Sequence, residues 1–266
     1  MTARLDAELA SRGLARSRTH AARLIAEGRV LVDGVAVVKA STQVAANTAL
    51  EVAGDDHYVS RAAHKLLGAL DAFSLDVRGR LALDMGASTG GFTQVLRERG
   101  ADPVVAVDVG HGQIAPAVAA DPGVIAVEGF NVRYMTRENL AEAAGRPVLP
   151  EVVVGDLSFI SLGHVMPAVA AVLAENADIV LLIKPQFEVG RTAVREGLVT
   201  APALRADAVM GVLWEAWDLG WGVGGVVASA VVGTHGNAEF LAHLKPHSGD
   251  NPTEWGDRVA EMAGVR

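Results

Sequence analysis

Four charged residues stand at or beside the ends of apolar runs, where a rigid element can carry a polar side chain into a cleft. Lys184 follows Ile179-Val180-Leu181-Leu182-Ile183, and Asp156 follows Val152-Val153-Val154-Gly155. A lysine whose stem begins in the core has its charged form disfavoured by burial or by a neighbouring cation, and can then accept a proton near neutral pH. A plainer reading exists for both, in which Lys184 snorkels to solvent and Asp156 caps the next helix. Lys65, in Ser60-Arg61-Ala62-Ala63-His64-Lys65-Leu66, lies where one sequence pattern gives way to another. Glu239, in Gly236-Asn237-Ala238-Glu239-Phe240, opens the last apolar run.

A second constellation follows the first long apolar run: Asp84-Met85-Gly86-Ala87-Ser88-Thr89-Gly90-Gly91, then a helical stretch through Arg97. Small residues between a strand and a helix let a ligand lie against the backbone at the carboxyl end of a sheet. Such turns also occur in ordinary α/β packing. Asp84 and Asp108, which ends the next run, add chemistry. Asp108 stands where an acid accepts hydrogen bonds from the ribose hydroxyls of an adenosine. Asp84 would repel a pyrophosphate, and the turn lacks the Gly-x-Gly-x-x-Gly of dinucleotide enzymes. An acid here suits a ligand bearing a sulfonium and an ammonium, which favours S-adenosylmethionine over NAD. Asn131, in Gly129-Phe130-Asn131-Val132-Arg133, is placed either near an adenine or as a turn residue.

The elements that must position these groups fall into two patterns. Leu5 and Leu9, then Ala21, Leu24 and Ile25 within Ser17–Ala26, predict two short helices. Val30 and Val32, then Val35 and Val37, flank Asp33-Gly34 as a hairpin, with Leu50 and Val52 as a closing strand. From Leu81 on, aliphatic runs at 81–83, 104–107, 124–127, 152–154 and 179–183 alternate with helical stretches, the pattern of a parallel sheet buried on both faces. The loop between the runs 221–232 and 239–244 is too short for a helical crossover, so that pair is expected to be antiparallel. The expected organisation is a domain over 1–55, a connection over 56–65 and a second domain over 66–266.

Composition narrows the function classes. Half of the residues are hydrophobic and 20% are charged, enough to build a core. There is no cysteine, which excludes disulfides, thiolate metal sites and cysteine nucleophiles. No apolar run is long enough to span a membrane, and Met1–Gly13 lacks the apolar core of a secretory signal, so a cytoplasmic protein is expected. His243 and His247 lie four apart without a third ligand nearby, so no metal is expected. Trp214 and Trp217 are expected in core packing rather than base stacking. The net charge of −8 argues against nucleic acid until it is divided: residues 1–65 carry +2 and residues 66–266 carry −10. Four arginines, Arg12, Arg16, Arg18 and Arg23, crowd one N-terminal stretch, either as a phosphate-binding face or as the solvated side of a helix.

Taken together, Lys65, Asp156, Lys184 and Glu239 resemble, in order and context, the Lys-Asp-Lys-Glu tetrad of FtsJ-like ribose 2′-O-methyltransferases. Residues 4–52 resemble the RNA-binding domain named after ribosomal protein S-four, through Arg4-Leu5-Asp6, Leu14-Ala15-Arg16-Ser17-Arg18 and Gly28-Arg29-Val30-Leu31-Val32-Asp33-Gly34. The whole is similar to the TlyA (haemolysin A) family of ribosomal RNA methyltransferases. That resemblance implies a small α+β RNA-binding domain followed by a Rossmann-like class I methyltransferase, an α/β fold with a mostly parallel, doubly wound sheet and a final antiparallel strand. It implies methyl transfer from S-adenosylmethionine to the 2′-hydroxyl of cytidines in 16S and 23S ribosomal RNA. Residues 86–91 read like the family's cofactor motif. On this reading Lys184 is the general base, Lys65 and Asp156 orient the hydroxyl and tune Lys184, and Glu239 anchors the lysines. Asp84, Gly86, Ala87, Ser88, Thr89, Gly90, Gly91, Asp108 and Asn131 hold the cofactor, and Arg4, Arg16, Arg18 and Arg23 meet RNA. Three rivals stand beside it: a non-catalytic RNA-binding or ribosome-assembly factor, a membrane-active haemolysin and an NAD-dependent oxidoreductase.

Overall fold

The computed structural model describes the chain except residues 1, 16, 27, 46, 53–56, 191–193, 195, 234–235 and 266, and the side chain at 36. Arg16, the Asp55-Asp56 boundary and the Thr234-His235 loop therefore lie outside the described residues. The chain divides into two compact units, Met1–His57 and Tyr58–Arg266. The second starts within the stretch expected to be a connection, because Tyr58 and Ala63 are buried with Leu66 and Leu70 in one of its cores.

In the first unit, strand β1 (Thr2–Arg4) leads into helices α1 (Leu5–Ser11) and α2 (Arg18–Ala26). Their apolar stripes, Leu5 and Leu9 against Ala21, Leu24 and Ile25, are fully or almost fully buried. Strands β2 (Val30–Val32) and β3 (Val35–Ala36) form the hairpin, with Asp33 and Gly34 both at positive φ, as a two-residue turn requires. Strand β4 (Gln43–Ala45) pairs with β1, and β5 (Leu50–Val52) pairs with β2, all antiparallel.

The second unit is a three-layer α/β domain. After α3 (Ala63–Ala72) come β6 (Ala82–Met85), α4 (Gly91–Glu98), β7 (Val104–Asp108), α5 (Pro116–Ala119), β8 (Val124–Glu128), α6 (Arg137–Ala144), β9 (Val152–Gly155), α7 (Met166–Val172) and β10 (Asp178–Ile183). Then follow α8 (Pro185–Glu188), α9 (Pro202–Asp218), β11 (Trp221–Ala228), β12 (Phe240–Pro246) and α10 (Gly256–Ala263). Among the described residues the sheet has seven strands in the order β11-β12-β10-β9-β6-β7-β8. Strands β10, β9, β6, β7 and β8 run parallel; β12 is antiparallel to both β10 and β11.

Successive strand residues face opposite sides, so each aliphatic run feeds two cores. Leu83, Val105, Val153 and Leu181 pack toward α6, α7, α9 and α10. Ala82, Val104, Val152 and Val180 pack toward α3 and α4. Trp214 and Trp217 depart from the expected core packing. The buried face of α9 is Ala208, Val209, Val212, Leu213 and Ala216, and the two tryptophans sit on its flank, 39% and 38% exposed. Trp221 and Trp255 are the buried indoles. His243 lies within β12; its Nε2 is 2.7 Å from Asp178 Oδ1, and Arg80 donates to the other oxygen at 2.7 Å. Among the described residues no three His, Asp or Glu side chains group as metal ligands.

Candidate active site

The chain leaves β6 toward β7 and β8, then returns to lay β9 on the other side of β6. The carboxyl ends of β6 and β9 therefore form the switch point at which doubly wound sheets open a crevice. The turn after β6 and the loop after β9 meet there closely. Gly86 has φ +76°, and a Cβ on it would stand 2.9 Å from the Asp156 carbonyl oxygen, so a side chain is excluded on two grounds. On the other flank a Cβ on Gly91 would stand 2.9 Å from Ser60 Cβ, which brings the start of α4 against the approach to α3.

Topology also explains how four distant residues converge. Lys184 ends β10 and Asp156 ends the adjacent parallel β9. Strand β12 runs the other way, with Phe240 opposite Ile183, so the residue before it, Glu239, arrives at the same edge of the sheet. Lys65 sits in the first turn of α3, which is held by Ala63, Leu66, Ala69 and Leu70 on its buried face.

The result is an alternating chain of charges. Glu239 Oε2 accepts from Lys65 Nζ at 2.6 Å. Lys65 Nζ lies 3.7 Å from Asp156 Oδ2, and Asp156 Oδ1 lies 2.6 Å from Lys184 Nζ. Lys184 also donates to Ser158 Oγ at 2.7 Å. The side chains of Lys65, Lys184 and Glu239 are each under 10% exposed, so both cations and both carboxylates are compensated where water cannot do it. Of the two influences expected on Lys184, burial is present, while its direct neighbour is the Asp156 carboxylate and the cation Lys65 lies beyond it. In a neutral Lys184 amine the two donated bonds use both hydrogens, leaving the third tetrahedral position for the lone pair.

Two cavities adjoin at Gly86, Ser88, Asp156 and Ser158. One, of about 230 Å³, contains the four tetrad residues together with Ala87, Thr89, Gly91 and the unassigned Ser60 and Arg61. The other, of about 430 Å³, has apolar walls from Val107, Phe130, Leu157 and Ile160, with Asp108 and Asn131 among its polar groups. Asp108 is more constrained than its sequence position suggests: its two oxygens accept from Ser88 N at 2.8 Å and Gly110 N at 2.7 Å. Asn131 takes both of its expected places, lining the cavity while its side chain accepts from Arg133 N at 3.0 Å to cap the short turn Val132–Tyr134.

Asp84 and Gly90 line neither cavity. Gly90 has φ +93° and faces Val118. Asp84 is wholly buried behind the turn. Its Oδ2 accepts from Thr93 Oγ1 at 2.6 Å, while Oδ1 has no partner among the described residues. Desolvation, reinforced by Asp156 and Asp108 and opposed by Thr93, pushes its carboxyl up to about 7.

Phe159 carries a signal that the sequence reading missed. It lines the larger cavity, is 91% exposed and has φ +66°. A bulky residue in the left-handed region is strained. Its ring centroid lies 5.3 Å from that of Phe187. Its contiguity with Asp156 was visible in the sequence; its exposure was not.

In the first unit, Arg4 and Arg18 share one carboxylate. Arg4 Nε donates to Asp6 Oδ1 at 2.9 Å, and Arg18 Nη2 donates to Asp6 Oδ2 at 3.1 Å. The buried Asp6 is held down at about 2, chiefly by the bond from Arg4, and both guanidiniums remain well exposed. Arg23 is in the last turn of α2. Arg12 is spent on structure, donating to the carbonyls of Thr48 at 2.7 Å and Ala45 at 3.2 Å.

Comparison with known proteins agrees with this architecture. Residues 58–246 match the model of the FtsJ-like methyltransferases, and residues 3–50 match that of the S4 domain. The 16S/23S rRNA (cytidine-2′-O)-methyltransferase TlyA of Mycobacterium tuberculosis is 51% identical over 246 residues, 91% of this chain and 90% of that protein. Hemolysin A of Brachyspira hyodysenteriae is 36% identical over 242 residues, 91% of this chain and 99% of that one. A solved structure from Streptococcus thermophilus, described as a hemolysin, superposes with a TM-score of 0.76 at 34% identity, covering 99% of this chain and 96% of that one. No helix among the described residues is long and apolar enough to cross a membrane. The chain belongs to the FtsJ-like methyltransferase family, with an S4 domain ahead of the methyltransferase domain.

Proposed function

We propose that this protein methylates the ribose 2′-hydroxyl of cytidine in 16S and 23S ribosomal RNA, with S-adenosylmethionine as donor. The observation that carries the reading is the convergence of Lys65, Asp156, Lys184 and Glu239 in a cavity that adjoins a larger, partly apolar one. The similarity to the Mycobacterium tuberculosis enzyme supports the substrate class.

The donor fits the residues present. Three acids, Asp84, Asp108 and Asp156, surround a glycine turn that no phosphate would favour, and the buried Asp84 Oδ1 lacks a partner among the described residues. Gly86, Ala87, Ser88 and Thr89 would hold the methionine end, and Asp108, with Asn131 and the apolar wall of the larger cavity, would hold the adenosine. When bound, the donor supplies a methyl group on a sulfonium sulfur, activated for in-line attack.

The chain's own residues supply the rest. Lys184, after its ammonium has given a proton to solvent, takes the proton of the 2′-hydroxyl on its lone pair as the hydroxyl oxygen forms the new bond to carbon; the electron pair of the broken carbon–sulfur bond stays on sulfur. Asp156 and Ser158 hold Lys184 Nζ from two sides, Lys65 lies against the far oxygen of Asp156, and Glu239 fixes Lys65. Phe159 offers an exposed ring face on which the target base can stack. The S4 domain, with Arg4, Arg18 and Arg23, supplies RNA affinity that the acidic second domain lacks. The proposed division is an RNA-binding domain that ends by residue 57 and a methyltransferase domain that takes in most of the 56–65 stretch expected as a connection, from Tyr58 on, acting in the cytoplasm.

The test is incubation of the protein with radiolabelled S-adenosylmethionine and purified ribosomal subunits, followed by mapping of 2′-O-methylated positions. Label at a discrete cytidine ribose, absent with Lys184→Ala, supports the reading. Cofactor binding with no label on either subunit overturns the substrate assignment.

A further inference from the structure

The segment after β9 carries Asp156, Ser158 and Phe159 yet has no regular structure until the short turn Leu162–His164. Its backbone forms no sheet ladder, and at Phe159 it holds a conformation with φ +66° that a bulky residue disfavours. Strain of this kind persists only where the surroundings over-determine it. At its start the Asp156 N–H donates to the Met85 carbonyl and Leu157 and Ile160 pack on the core; the remaining side-chain ties come mostly from Lys184 and α8. Lys184 grips Asp156 and Ser158 at the front of the segment, and Phe187 lies against Phe159 in its middle. Glu188 takes the rear: its Oε2 accepts from Ser161 Oγ at 2.7 Å, and its Oε1 accepts from Leu162 N at 3.1 Å.

These ties are not equivalent during turnover. The bonds from Lys184 belong to the group proposed to gain and lose a proton, so they change as the reaction proceeds. Phe187 contributes a ring contact, which has little directional strength. Glu188 lies outside both cavities, touches no reacting atom and fixes the segment at a side chain and at the backbone together. Desolvation and the nearby Glu215 push its carboxyl up, and its two accepted bonds offset part of that cost of burial.

We propose that Glu188 is a positioning residue for methyl transfer: it clamps the 156–162 segment to α8, so that Ser158 stays on Lys184 and the Phe159 ring stays at the cavity mouth. This rests on the function proposed above. The clamp acts on the lysine, on the target base and, through Leu157 and Ile160, on one part of the wall proposed for the adenosine, whereas the rest of the glycine turn and Asp108 are held by other contacts.

The test compares wild type, Glu188→Ala, Glu188→Gln and Ser161→Ala by single-turnover methyl transfer to ribosomal subunits, S-adenosylmethionine affinity and amide hydrogen exchange. Glu188→Ala is expected to slow transfer about tenfold or more, with a clearly smaller loss of cofactor affinity, since only one part of the adenosine wall belongs to the segment, and faster exchange across 156–162 but not in β6 or β7. Gln keeps one acceptor and should recover most of the rate. Ser161→Ala, which removes the bond to Glu188 together with the weaker cap on Gly163 N and leaves the carboxylate on Leu162 N, should show a milder form of the same pattern and decides the matter if Glu188→Ala does not fold. A transfer rate within twofold of wild type, a rate loss matched by an equal loss of cofactor affinity, or unchanged exchange across 156–162 each overturns the proposal. If wild type transfers no methyl group, the functional reading falls, and the exchange comparison alone still decides whether Glu188 clamps the segment.

Discussion

Replacing Asp84 with Asn should change how the stability of the second unit depends on pH. The carboxyl ionises at 3.8 in an unfolded chain and at about 7 in the folded one, so the folded state holds the proton more tightly. The group's contribution is fully present below pH 4, falls as pH rises toward 7 and is flat above that. At about 1.4 kcal/mol per tenfold, the total is roughly 4 kcal/mol, of which about 3 kcal/mol falls between pH 5 and 8. Asn keeps an acceptor for Thr93 and leaves a buried amide on the side where Oδ1 now has no partner, at a pH-independent cost of about 1–3 kcal/mol. The stability difference between the two proteins should therefore move by about 3 kcal/mol in favour of Asn from pH 5 to pH 8, whatever its absolute value. All four tryptophans lie beyond residue 58, so urea unfolding followed by tryptophan fluorescence reports on this unit alone. Parallel pH profiles for the two proteins would refute the assignment of a buried, reluctantly ionised carboxyl.

Further expectations follow from the same geometry. Lys184→Ala should abolish methyl transfer while leaving S-adenosylmethionine affinity within about threefold by calorimetry; a fully active variant would remove Lys184 as base. Binding of the cationic donor near pH 7 should release a fraction of a proton as Asp84 ionises, and the uncharged thioether product should release less, measured by calorimetry in buffers of different ionisation enthalpy. Phe159→Ala should leave thermal stability nearly unchanged, since the ring is 91% exposed, yet raise KM for ribosomal substrate; an unchanged KM would remove the ring from base binding. Deleting residues 1–55 should weaken RNA binding far more than cofactor binding, by gel shift and calorimetry respectively.

The parts of the fold that were legible are those whose burial is written in composition. Continuous aliphatic runs such as Ile179–Ile183, too short for a buried helix and separated by helical stretches, read as strands covered on both faces, and the polar residue after each is carried to one edge of a parallel sheet. That is why Asp84, Asp108, Asp156 and Lys184 stood out before any coordinates. The pairing of β1 with β4 was not legible, because each strand has three residues, too few to show an alternation. Nor was the carboxylate between the two lysines, which depends on side-chain directions across three elements. Spacing put Asp108 at a ribose but could not show that two backbone N–H groups already claim its oxygens. Phe159 and Glu188 escaped for a related reason: one owes its exposure to an unusual φ, and the other finds its partners 26 and 27 residues upstream.

The insertion of β12 between β10 and β11 bears on how such a chain matures during synthesis. Every other catalytic candidate has emerged by residue 184, but Glu239 and the strand that carries it come more than fifty residues later, and β12 must add to the open edge of β10 before β11 can join the sheet at all. Until Phe240–Pro246 has left the ribosome, β10 has no partner on one side, and Lys65 lacks its closest carboxylate. A nascent chain stopped short of that point would expose a sticky sheet edge and could not transfer a methyl group. Competence would therefore arrive in a single late step rather than growing as the chain lengthens.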